Sequence, residues 1–233
     1  MGIAAYIFYY RSLGADPAFE GFVVLGGAMT AFWLNVLWGM ASQLYWEKET
    51  GNLQLFMVSP MSRMALLAGM ALGGMFFSGI RAMSTLVLGM LVFNVHMTVA
   101  DPVLLALVFV VTLIAIYGMG MMFASLFMMY GRDAWNISNL LQEPIYLVSG
   151  FYFPVKALGP WVSAAAAVIP ITLGLDAMRQ ELFGPVSDGL LPVTTELAIL
   201  CVLAVAFLML ARYSLAFMED LGRREGRLTL RWQ

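Results

Sequence analysis

Histidine and cysteine each occur once in the 233 residues, at His96 and Cys201. A lone cysteine excludes an intrachain disulfide, and one histidine beside a loop cannot by itself build a metal site. Charge is scarce as well, at 11% of residues. The two lysines, Lys48 and Lys156, both lack the glycines of a G-x-x-x-x-G-K-[ST] phosphate loop. Any step driven by nucleotide therefore needs another chain.

What fills the space is apolar. Hydrophobic residues make up 62% of the chain, against roughly 45–50% in a soluble domain, which makes this an all-α integral membrane protein. Apolar runs at Gly21–Trp46, Met64–Phe93, Val103–Tyr130, Ala134–Phe153 and Leu190–Ala211 each reach the roughly 20 residues that a helix needs to span. Five complete spans are predicted within one transmembrane domain, residues 1–233. Residues 1–10 are apolar too, but at about 1.5 Å per residue they cross only half of a core of about 30 Å. They read as a partial first span whose beginning is missing.

The placement of cations sets the orientation. With the Glu47–Arg63 segment, the Gly131–Asp133 turn and the tail at 212–233 on one side, that side holds Lys48, Arg63, Arg132, Arg212, Arg223, Arg224, Arg227 and Arg231. The other side holds Arg11, Lys156 and Arg179, together with Asp16, Asp101, Asp176, Glu181 and Asp188. The first side is expected to be cytoplasmic, in a plasma membrane of bacterial inner-membrane type.

Two segments depart from the pattern of plain spans. Glu47 to Arg63, E-K-E-T-G-N-L-Q-L-F-M-V-S-P-M-S-R, is a polar island between two apolar runs. Thr50-Gly51 marks a turn or helix start, and Leu53, Phe56 and Met57 share one helical face. Pro60 after Ser59 stops such a helix within about two turns. A short amphipathic element at the membrane surface suits a soluble partner that pushes on it. An interfacial helix that merely completes a hairpin fits the same pattern.

The other segment, residues 154–189, is apolar but broken at Pro154, Pro160 and Pro170. Its pieces are too short to span singly, so it is predicted to re-enter the membrane from the outer face as a helical hairpin. Phe151, Tyr152, Phe153 and Trp161 fit an interfacial aromatic belt. The alternative, one badly formed extra span, would put the C-terminus on the other side.

These residues carry a family resemblance. The island resembles the cytoplasmic E-x-E-x-G-T-L-E-x-L-x-x-(S/T)-P-x-S-R segment of ABC-2 type (type V exporter-like) transporter permeases, matched by Glu47, Glu49, Gly51, Leu53, Leu55, Ser59, Pro60, Ser62 and Arg63. Asn52 and Gln54 stand where that family more often has Thr and Glu. Ser149, Gly150, Pro154, Pro160, Trp161 and Pro170 resemble the same family's re-entrant region, and Arg179 stands where that region often ends. The resemblance implies a homodimer, or a heterodimer with a sister permease. It also implies two ATP-binding cassette subunits that hold ATP and Mg and grip the island as a coupling helix, with Leu53 and Phe56 as its anchors. It implies no cofactor in this chain, no nucleic acid, and a cargo that is a drug, a lipid or a glycan.

Weaker signals lie within the spans. Arg81 sits deep in the Met64–Phe93 run, where an ionisable group is costly and so is expected to be functional or paired; Glu143, between Gln142 and Pro144, is the candidate partner. Gly69 and Gly73 form a G-x-x-x-G that would allow close helix approach. The methionines, Met119, Met121, Met122, Met128 and Met129 among them, read as packing residues or as the lining of an adaptable apolar path. The basic tail can touch anionic headgroups or the ATPase. A membrane-embedded enzyme is the competing class, but H-E-x-x-H, a His or Cys cluster and paired intramembrane aspartates are all missing from the sequence. A channel or scaffold would need no cytosolic handle.

Overall fold

The structure, a computed structural model, describes residues 2–43, 46, 47, 50–52, 55, 62–130, 132–184 and 187–224; the side chains at 63, 128–130, 132–135, 137–139, 141, 219, 222 and 223 lie outside the description. The α-helices are α1 (Gly2–Ser12), α2 (Ala18–Leu34), α3 (Arg63–Phe93), α4 (Pro102–Tyr130), α5 (Arg132–Val148), α6 (Pro160–Ala166), α7 (Pro170–Phe183) and α8 (Val193–Arg224). A π-helical turn, Asn35–Met40, prolongs α2, and a 3₁₀ turn, Val155–Leu158, precedes α6.

Local chemistry explains where the helices start and stop. Ser62 caps α3 by accepting from the Ala65 amide at 3.1 Å, and Asn94, in the left-handed region at φ 55, ends it. The Asp101 carboxylate accepts from the amides of Val103 and Leu104 at the head of α4. Pro160 and Pro170 stand in the first turns of α6 and α7, where a proline sacrifices no hydrogen bond.

Among the described residues, four helices are long and apolar enough to cross a membrane: Ala18–Met40, Met64–Phe93, Pro102–Phe127 and Val193–Met218. Bent by 109° at a short break, α6 and α7 together make either a broken span or a re-entrant loop, so the break expected around Pro160 and Pro170 is present, in a form that suits the hairpin and the extra span alike. The fifth expected span, Ala134–Phe153, is shorter than its hydropathy suggests. Helix α5 stops at Val148 after 17 residues, because Ser149 and Gly150 turn the chain, with Gly150 at φ +69. At 17 residues it is at the short end of the range for a span, and Asn136, Asn139, Gln142 and Glu143 make it less apolar than the other four.

Helix α2 is the hub. Within its span 72% of the most apolar window is buried, against 17% for α3 and for α8. Phe22, Met29, Phe32, Trp33, Val36 and Leu37 of α2 and the following turn join Ile116 and Tyr117 of α4 and Leu173 and Leu175 of α7 in the main core. In the π turn the Ala41 amide reaches back five residues to the Val36 carbonyl. Asn35 opens that turn and accepts from the Tyr117 hydroxyl at 2.9 Å, while its amide group lies close against Gly39 and Gly74. This one side chain thereby ties α2 to both α3 and α4. Trp38, in the same turn, donates to Gln142 of α5 at 2.7 Å.

The outer surfaces of α3 and α8 are apolar. Leu72, Phe76, Phe77, Ile80 and Met83 on α3, and Val202, Val205 and Met209 on α8, are exposed, as expected of faces that meet lipid or another apolar chain.

Candidate functional site

The polar island breaks the bundle between the π turn and α3. Glu47 is half-buried, and its carboxylate accepts from the Gln43 and Asn52 side-chain amides, both at 3.0 Å. Asn52, one of the two departures from the resembled motif, therefore has work to do, since it fastens the turn back to Glu47. Thr50 donates to the Trp46 carbonyl through both its amide and its hydroxyl, and Gly51 takes φ +82, a conformation that suits glycine. Leu55 is 71% exposed, an apolar side chain held out on the surface. Glu49, Leu53, Phe56, Ser59 and Pro60 lie outside the described residues, as does the side chain of Arg63, the first residue of α3.

The bent helix pair is organised around a residue that its sequence placed only at a motif's end. Arg179 of α7, counted above with the cations of one membrane side, is 1% exposed. Its Nη1 donates to the Phe153 carbonyl at 3.2 Å, and its Nη2 donates to the carbonyls of Phe22 at 3.2 Å and Phe151 at 2.9 Å. The guanidinium carbon also stands 5.1 Å from the centre of the Phe22 ring. One side chain thus joins α2, the turn after α5, and α7. Asp176 and Glu181 are likewise buried; Glu181 receives the Asp101 amide at 3.2 Å, which fastens the connection between α3 and α4.

The remaining residues of the region frame this centre. Ser149 is fully buried, and its hydroxyl has no hydrogen-bond partner among the described residues; Gly150 turns the chain toward Arg179. Pro154 caps the 3₁₀ turn, Pro170 is buried at the head of α7, and Trp161 is 88% exposed, as an interfacial anchor would be. The Tyr10 hydroxyl donates to the Tyr152 carbonyl at 3.0 Å, and Tyr6 stacks on the Tyr152 ring at 4.4 Å between centres. Helix α1 is thereby fixed to the same turn.

A second polar knot joins α7 to α8. Asp176 accepts from the Leu190 amide at 2.6 Å, and Gln180 donates both to the Leu191 carbonyl and to Glu196 of α8. Glu196 also accepts from the Leu191 amide. Replacing Asp176 with alanine orphans the Leu190 amide and is expected to cost about 1–3 kcal/mol. Breaking the exposed Lys156–Asp188 pair with Lys156→Met should scarcely shift the melting temperature. Thermal unfolding of the two variants in detergent checks the contrast, and equal losses would refute it.

The expected Arg81–Glu143 pair is not formed. Both side chains are exposed, and among the described residues neither makes an ion pair. The cause is helix geometry: α3 packs through a stripe made of Leu67, Ala71, Ser78, Ala82 and Gly89, and Arg81 lies off it. Helix α5 gives Gln142 to Trp38, and Glu143 takes the next position round. Gly69 and Gly73 are exposed, with open space where a Cβ would stand, so among the described residues no helix packs on that pair. Met119 and Met121 are buried in the core. Among the described residues no three metal-ligating side chains come together.

Long apolar helices around a central one, a polar break with an exposed leucine, and a bent helix pair locked by a buried arginine define a multi-pass membrane protein. A family model described as ABC-2 type transporter matches residues 2–183, most of the chain, and the chain belongs to that family as its membrane domain. Such domains are transport subunits without an ATPase domain, and they generally pair with ABC ATPase subunits. No curated protein and no solved structure matches the chain.

Proposed function

We propose that this chain is the permease subunit of an ATP-binding cassette exporter that moves an amphiphilic cargo: a drug, a lipid or a glycan. It works as a pair, with a second copy or a sister permease, on two ATPase subunits that bind ATP and Mg. Glu47 to Arg63 is the contact through which their closure enters the membrane domain, on the cytoplasmic side by the count of cations. The observation that carries this reading is the island itself. Its turn is braced by Glu47, Thr50 and Asn52, it exposes Leu55, and it runs into the capped start of α3. A push there acts on a helix of 31 residues, about 46 Å long at about 1.5 Å per residue. It acts too on the π turn, whose Asn35 is bonded to Tyr117.

Leu55→Asp places a charge on the apolar contact. It is expected to lower permease-stimulated ATP hydrolysis in the reconstituted complex about tenfold, equivalent to about 1.4 kcal/mol. The yield of folded permease should not change, because Leu55 packs on little in its own chain. Co-purification with the ATPase and hydrolysis assays in vesicles make the test. Unchanged association and unchanged hydrolysis after deletion of Leu53–Met57 would refute the reading.

A further inference from the structure

Between α2, α3, α4 and α7 lies a groove of about 1010 Å³ open to one side of the bundle. We propose that it binds an acyl chain of a bilayer phospholipid, from the leaflet nearer the 94–101 connection. This needs only that α2, α3 and α4 cross a bilayer, and it stands apart from the reading as an exporter.

Chemistry, place and length choose the occupant. The walls are apolar, with Met29 and Phe32 from α2, Met83 and Val87 from α3, Phe109 from α4 and Leu182 from α7. The one hydroxyl among the lining residues, on Ser84, donates to the Ile80 carbonyl of its own helix at 2.8 Å. A ligand therefore finds no polar group to satisfy, and an apolar chain loses nothing by entering. The groove opens between helices that meet the acyl region of the membrane, where water does not compete. It follows α3 from Met75 to Val87, about 18 Å at about 1.5 Å per residue. One leaflet of a bilayer with a core of about 30 Å is about 15 Å deep. The cavity also stands at the upper end of the roughly 300–1,000 Å³ typical of small-molecule sites.

Gly79 keeps the groove open: among the described residues, nothing beyond its own stretch of helix lies within 4 Å of the place its Cβ would take. Met178 and Leu182, which close the groove from α7, sit on the helix that Arg179 locks to α2. A chain seated there rests against the same element that the buried guanidinium positions.

The test uses the full chain in phosphatidylcholine vesicles doped with a phosphatidylcholine that carries a diazirine in mid-chain. After irradiation the labelled peptides are mapped by mass spectrometry. Label is expected on residues 75–87 and 102–109 about tenfold above that on the exposed α8 face at Val202, Val205 and Met209, the ratio that about 1.4 kcal/mol of preference gives. Gly79→Trp should fill the groove and lower the labelling there to the α8 level, with Ala106→Phe as a second filling variant from the opposite wall. Gly73→Trp also enters open space on α3 but lies outside the groove, and should leave the labelling unchanged. The proposal is overturned by labelling equal to that of α8, by labelling indifferent to both filling variants, or by a groove protected from lipid and cross-linked to a second copy.

Discussion

Arg179→Ala is expected to lower the melting temperature of the chain markedly. The substitution removes the guanidinium donors from three carbonyl oxygens, those of Phe22, Phe151 and Phe153, in a place that water does not reach. Hydrogen bonds to charged groups contribute about 1.5–3 kcal/mol each, so a loss of roughly 4 kcal/mol or more is expected even after partial relaxation. That is a large part of a typical margin of about 5–15 kcal/mol. For a chain of this size it corresponds to a fall of about 10 °C in melting temperature. Arg179→Lys should recover part of the loss, since a single ammonium cannot fork to all three carbonyls. Melting in detergent together with size-exclusion profiles reads the outcome, and an alanine variant that melts within about 2 °C of the parent would show that the three bonds contribute little.

Gly26→Ala should be almost as damaging for a different reason. A Cβ at position 26 would stand 1.5 Å from the Phe151 carbonyl oxygen. The carbonyl oxygen is main chain and the Cβ is fixed by the main chain, so neither can rotate aside. Overpacking costs about 1–3 kcal/mol where side chains adjust, and the upper end or beyond is expected where α2 and the turn must separate. The neighbouring glycine supplies the control. At Gly27 the added carbon meets the tip of the Ile3 side chain, which has other rotamers, so Gly27→Ala should be mild. Since Phe151 also accepts from Arg179, Gly26→Ala combined with Arg179→Ala should cost less than the two losses added. Additive losses in the same melting series would mean that the glycine contact and the arginine bond act separately.

The elements legible in the sequence are those whose signals are local. Hydropathy bounded α3 to within a residue at each end, Met64–Phe93 against Arg63–Phe93, because the polar island and Asn94 flank it. Pro160 and Pro170 foretold two helix starts and the break between them. The end of α5 was missed because Ala134–Phe153 is taken as one apolar run although Asn136, Asn139, Gln142, Glu143 and Pro144 interrupt it, and the backbone angle at Gly150 then ends the helix. Arg179 was legible as a charge and not as a centre, for its partners are carbonyl oxygens as far away as Phe22, and a carbonyl leaves no mark in a sequence. Arg81 and Glu143, which did carry such a mark, stay apart because α3 and α5 present other faces to the bundle. Of the island, the turn at Thr50-Gly51 was readable from residue type, while the brace between Asn52 and Glu47 depends on how the turn closes.

The wide turn at Asn35–Met40 has a geometric consequence for the segment beyond it. Five residues per hydrogen-bonded step, in place of four, put everything after Met40 about 100° out of phase with a continuous α-helix begun at Ala18. The direction in which the chain leaves α2 toward Glu47 is therefore set by local winding and not by the packing of Phe22 through Trp33. Rewinding that single turn would re-aim the polar segment like a swivel and would shift Val36, Leu37 and Met40 within the core.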